Sequence, residues 1–221
     1  MQNPWLDLPF EPPYVLPQEE EAVSLFNASA GETHQFHCEL PPEPYLGNPE
    51  AKILLLNLNP GFSTHDAAFY AYEHVRQVWR KNLLHEDLRF PFYMLDTAIP
   101  QHTAGPKWWS KKLKEPIKLA GREAVAHKFC CIEYFPYHSR RYGGFKTILP
   151  SQKYSFHLVE RAIVRKAVII MMRNAKAWFA AVPELKNYDL LFHVNSVQNP
   201  AISRNNCPDG FPLIADILRQ S

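Results

Sequence analysis

The chain has 221 residues, 46% of them hydrophobic, and a formal net charge of +2, a length and core content that suit one ordinary domain. No apolar run approaches the roughly 18 residues of a membrane helix, and so small a net charge does not by itself announce a nucleic-acid binder. Four cysteines without CxxC spacing and ten histidines without an HxH or HExxH arrangement form no disulfide or metal pattern, so buried reduced thiols and neither metal nor cofactor are expected.

The opening residues, Met1-Gln-Asn-Pro-Trp-Leu-Asp7, lack the positive and apolar regions of a secretion signal, and a cytoplasmic monomer is expected. Pro4, Pro9, Pro12, Pro13, Pro17, Pro41, Pro42, Pro44 and Pro49 bar continuous helix or central strand from the first fifty residues. Trp5, Leu6, Leu8, Phe10, Tyr14, Phe26 and Phe36 make that segment an arm packed on a core of residues 51–221, with a short helix over Glu19–Leu25.

From Ala51 short apolar strands alternate with helices. Lys52–Leu58 is nearly all apolar, as in a parallel sheet covered on both faces. Helices are expected over about 65–82 and 108–114, the second halted by Pro116. A strand over 128–135 follows, then a helix over Ser151–Val164 capped by its serine. Ala167–Met172 is a strand, Asn174–Ala181 a helix, Leu190–Val197 a strand and Asp209–Leu218 a helix. This order predicts an α/β fold: one three-layer α/β/α sandwich around a short parallel sheet of about four strands.

Ligands in such sheets sit beyond the carboxyl ends of the strands, which selects "NPGFSTHD", "YFPYHSRRYGG" and "QNPAISRNN". Pro60 stiffens the backbone at Asn59, Gly61 permits close approach, and Pro200 does for Asn199 what Pro60 does for Asn59. Turn formation by the Asn side chains is the competing reading.

These loops resemble the motifs of the uracil-DNA glycosylase superfamily, nearest to its single-strand-selective monofunctional and mismatch-specific uracil/thymine branches. The first motif there is Gly-x-Asn-Pro-Gly, against Asn57-Leu-Asn-Pro-Gly61 here, with only the leading glycine missing. The second ends a strand in Asn, an aromatic, any residue and Pro; here Glu133-Tyr-Phe-Pro136 replaces the Asn. The third, His-Pro-Ser-Pro or Asn-Pro-Ser-Gly followed by Ser-Arg or Arg-Asn, corresponds to Asn199-Pro-Ala-Ile-Ser-Arg-Asn205.

The resemblance implies a monofunctional glycosylase that flips a base from single-stranded or mismatched DNA and hydrolyses its glycosidic bond without metal. It implies that Asn59 orients the water, that Asn199 sits near the departing base or the sugar, and that Ser203 and Arg204 enter the DNA. It also implies that Phe69 or Tyr70 stacks on the base, with Phe62 a further aromatic after the motif; aromatics at helical spacing are otherwise core. Pro60 and Gly61 would hold this edge of the pocket.

Glu133 departs from the pattern. Ionised, it accepts from the ring N3–H of uracil but has nothing to donate to O4, which makes uracil doubtful; protonated, it can pair with cytosine at N4 and N3. A salt bridge from Glu133 to Arg140 or Arg141 is the structural alternative. Those two arginines, in "HSRRYGG", suit phosphate contact or a solvated lid, and "PKWWSKKLKEPIK" suits single-strand contact or an amphipathic helix. Loss of catalysis, leaving a nucleic-acid-binding module on the same fold, is the competing function, and a site for a free nucleobase or nucleotide is a third.

Overall fold

The computed structural model describes residues 1–220. Strands β1 (Tyr45–Gly47), β2 (Ile53–Asn57), β3 (Phe129–Glu133), β4 (Val168–Met171) and β5 (Leu191–His193) form one mixed sheet in the order β1-β3-β2-β4-β5. Every residue of β2, β3 and β4 is buried. The parallel part runs β3-β2-β4-β5, with Asn57 paired to Glu133 and Ile53 to both Phe129 and Val168.

The helices are α1 (Glu20–Ser29), α2 (Asp66–Tyr70), α3 (Glu73–Leu83), α4 (Ala104–Lys112), α5 (Lys114–Ala120), α6 (Arg122–Lys128), α7 (Pro150–Val164), α8 (Ala175–Ala181) and α9 (Phe211–Arg219). Helix α5 packs on α4, α6 and α9, while α7 packs on β3 and on the short helical turn Pro183–Asn187 that also meets α8. Because β3 and β4 flank β2 on opposite sides, right-handed connections carry the helices before β3 to one face and α7 and α8 to the other.

Several expectations are corrected. The sheet has five strands, because the proline-rich arm supplies β1, antiparallel to β3 at the sheet edge. A strand there is compatible with the prolines since only one side must pair. Gly47 has φ +105°, and a Cβ on it would lie 2.5 Å from the Phe129 carbonyl oxygen, so only glycine fits the close approach to β3. The expected helix over 65–82 breaks at Tyr72, whose φ of −68° and ψ of 122° are extended. Helix α4 begins earlier than expected, at Ala104, and ends at Lys112, ahead of Pro116 as expected, but Pro116 then sits in the first turn of a further helix, α5, where its missing N–H is harmless. Ser151 lies inside α7 instead of capping it; the Gln152 side chain accepts from the Leu149 N–H, and buried Glu19 of the arm accepts from the Ser151 N–H at 2.7 Å. Glu19 also accepts from Tyr137 Oη at 2.7 Å, tying the arm to the loop after β3. The expected strand over 190–197 shrinks to three residues at an open edge.

Candidate active site

A cavity of about 270 Å³ opens beyond the carboxyl ends of β2 and β3. The chain leaves β2 for β3 on one side and reaches β4 on the other, the arrangement that parts the connecting loops and leaves a crevice for a ligand. The first two selected loops meet there. Gly61 and Ser139 form a parallel bridge, Ser139 N donates to the Pro60 carbonyl at 3.3 Å, and His138 Nδ1 lies 2.7 Å from the Gly61 carbonyl.

Asn59 is held inside this junction. Its Nδ2 donates to the Pro60 carbonyl at 2.8 Å and to Ser139 Oγ at 3.0 Å. A carbonyl can only accept, so the atom facing Pro60 must be the nitrogen, and Oδ1 is left to accept from a water or ligand. His138 and Ser139 are buried, so this half of "HSRRYGG" is scaffold. Arg140 is exposed, lines the cavity and lies over Phe62 with 5.2 Å from guanidinium to ring centroid. Arg141 does not line it, and its backbone N–H donates to the Thr33 carbonyl.

The floor is polar. Glu133, 4% exposed, forms no salt bridge with Arg140 or Arg141; its Oε1 accepts from Asn57 Nδ2 at 2.9 Å. In-register neighbours in parallel strands project from the same face, which brings these two side chains together. Burial pushes the Glu133 pKa up to about 8, opposed by the Asn57 hydrogen bond and reinforced by the Glu43 carboxylate. Glu43 comes from the arm and accepts from Tyr93 Oη at 2.8 Å and from Tyr70 Oη. Arg173, just past β4, lines the same cavity and donates from Nε to the Val197 carbonyl at 3.2 Å.

Of the expected stacking residues, Phe69 and Tyr70 are both buried wall residues, Tyr70 anchored through Glu43. Phe62 already has a ring on one face, since His37 stacks on it with centroids 3.4 Å apart and planes 7° from parallel. Both Trp108 and Trp109 of α4 line the cavity: buried Trp109 packs edge-on against Phe92, while half-buried Trp108 has Lys112 Nζ 5.2 Å and Arg173 Cζ 5.9 Å from its ring.

The third loop does not reach the cavity, which corrects the expectation that all three converge. Asn199 is exposed and its Oδ1 accepts from Lys112 Nζ, and neither residue lines the cavity. Ser203 Oγ accepts from the Asn206 N–H within its own loop, and Arg204 lies 5.7 Å from the Phe211 ring of α9 in a separate groove. Among the described residues no group of three or more His, Cys, Asp or Glu side chains is placed to hold a metal.

No family model, curated protein or solved structure matches the chain. The resemblance stands on its loop motifs, and the cavity must speak through its own chemistry. Asn57, Glu43 and Arg173 are among the lining residues that motif reading passed over. One signal was present: the strands "ILLLN" and "FCCIE" both end on a polar residue after an unbroken apolar run.

Proposed function

We propose that the protein is a monofunctional DNA glycosylase of the uracil-DNA glycosylase type, a base-excision hydrolase acting on a base flipped out of single-stranded or mismatched DNA. The observation that carries this reading is Asn59: both amide hydrogens are engaged, leaving its carbonyl oxygen as a fixed acceptor at the mouth of a cavity with a polar floor. A flipped base would enter between Trp108 and the Phe69–Tyr70 wall and meet Asn57 and Glu133. A water held by Asn59 would then attack the sugar carbon as the glycosidic bond breaks. Asn is too weak to act as a base, so rate comes from positioning and from stabilising charge on the departing base. Arg173 and Arg140 supply positive charge along the same cavity.

Burial alters the argument against uracil. A neutral Glu133 donates a hydrogen bond to O4 as an amide would, so the objection from charge applies only above about pH 8. The position of Asn199, Ser203 and Arg204 away from the cavity favours a second reading, a nucleic-acid-binding module without catalysis. Incubation with oligonucleotides carrying a panel of lesion and mismatched bases, followed by cleavage at abasic sites, tests the proposal. Release of one base, lost in Asn59→Ala, is the expected result; salt-dependent binding with no release from any substrate would replace the proposal with the second reading.

A further inference from the structure

Asn57 closes β2 and Glu133 closes β3 at paired positions, so their side chains stand side by side on the cavity floor. Glu133 Oε1 accepts from Asn57 Nδ2 at 2.9 Å and faces Cys131 Sγ at 3.8 Å. The two remaining atoms, Asn57 Oδ1 and Glu133 Oε2, are buried and have no hydrogen-bond partner in the protein, although each residue is only 4% exposed. Buried polar atoms are normally paired, and two adjacent orphans lining one cavity point to a ligand that completes them.

We infer that Asn57 and Glu133 together form a two-atom reading edge for a neutral pyrimidine base, with Glu133 Oε2–H donating to a base acceptor and Asn57 Oδ1 accepting from the neighbouring N–H. The inference rests on the glycosylase reading for the class of ligand. Purines present the same pair of groups, and the uracil/thymine resemblance selects the pyrimidines, where two edges satisfy it: O4 with N3–H, as in uracil, and N3 with the N4 amino group, as in cytosine. The donor exists only while Glu133 carries its proton. The groups around it set that proton's hold. Glu43, from the segment before β1, brings a second carboxyl already supplied with two phenol donors. Cys131 on β3 and Asn57 on β2 donate to Oε1, Arg173 after β4 favours the ionised form, and Asp66, His138 and Arg140 line the outer cavity. Desolvation is the largest influence and Glu43 adds to it, so Glu133 remains an acid to about pH 8. Above that the edge becomes two acceptors and no longer complements either base.

The test is calorimetric titration of the full chain with 1-methyluracil and 1-methylcytosine at pH 6.5, 7.5 and 9, using wild type, Glu133→Gln and Asn57→Leu, each checked for folding by melting. One of the two bases is expected to bind wild type, with affinity falling roughly tenfold between pH 7.5 and 9 as the acid ionises. Glu133→Gln, which keeps a donor beside an acceptor but does not titrate, should bind more weakly with a flat pH dependence; Asn57→Leu should not bind. Absence of binding by both bases at pH 6.5 overturns the inference, as does a wild-type pH dependence shared by Glu133→Gln. Should Asn57→Leu fail to fold, the Gln comparison decides alone. The base-release assay separates the two claims. Binding with this pattern but no release removes the glycosylase and leaves the reading edge. Release whose rate and pH profile ignore both substitutions removes the edge and leaves the glycosylase.

Discussion

The loops after β2 and β5 both carry Asn-Pro turns, yet they do different work. The first is bonded to the loop after β3 through Gly61, Ser139 and His138, and its Asn59 ends in the cavity. The last is closed on itself around Asn206, whose side chain accepts from Ser196 N at 2.8 Å and donates to the Ala201 carbonyl at 2.9 Å. It reaches the site only indirectly, through Lys112 and Arg173. A proline next to an Asn stiffens the turn; what the side chain faces depends on which neighbouring loop grips it.

The largest expected effect tests that contrast directly. Asn59→Ala should cut base release by about 10²–10³-fold, the usual loss when one preorganised polar group is removed. Asn199→Ala should leave release within a few-fold of wild type, since neither Asn199 nor its partner Lys112 lines the cavity. Single-turnover rates on the preferred substrate measure both. Equal losses at the two positions would mean that the last loop closes over the cavity when DNA binds.

The two regions also differ in how they should respond to pH. Glu133 has its folded pKa raised above the ordinary carboxylate value of 4.5, to about 8. Its contribution to stability is therefore fully present below about pH 4.5 and is lost as pH rises through 8, because the unfolded chain releases the proton first. The loss is at most about 1.4 kcal/mol per pH unit within that window. Glu133→Gln should remove this slope, so the melting temperature of the variant gains on wild type between pH 5 and 8. The last loop has no comparable buried carboxyl, and Asn199→Ala should shift melting equally at both pH values.

How much of this was legible depended on whether a feature was local. Apolar runs marked β2, β3 and β4, and Pro150 marked the start of α7, because burial on both faces leaves an unbroken hydrophobic signature. Strand β1 was hidden by its three-residue length and the prolines before it, and β5 was overextended because an edge strand stops where pairing stops. Within the site, Asn59 stood out beside Pro60 and Gly61. Asn57 did not, since only its register with Glu133 gives it a partner. Glu43 lay in an arm that read as cover, and the arm turns out to deliver a carboxyl to the cavity.

A smaller effect sharpens the role of the loop after β3. Ser139→Ala removes one of the two acceptors that hold the Asn59 amide. Asn59 would keep its bond to the Pro60 carbonyl but lose the contact that fixes its rotation, so base release should fall roughly tenfold, the worth of about one hydrogen bond. The fall should appear in kcat, with KM little changed, because a water's position matters only as the bond breaks. A rise in KM alone would place Ser139 in substrate binding.

The smallest effect separates two of the three arginines assigned to DNA from sequence, Arg140 and Arg204; the third, Arg141, does not line the cavity. Arg140 stands exposed at the cavity mouth, supported on Phe62, where a phosphate flanking a flipped base would pass. Arg204 lies against Phe211, its backbone N–H donating to Glu115, on a groove between the last loop and α9. Neutralising one phosphate releases about one counterion, so Arg140→Ala should lower the slope of log affinity against log salt by about 1, while Arg204→Ala should leave it unchanged. Fluorescence anisotropy with a short single-stranded oligonucleotide across a salt series measures both. The reverse result would put the DNA track on the groove of Arg204 and require the base to reach Asn59 from the side of the last loop, which would make the first two loops the floor of the site and the third its entrance.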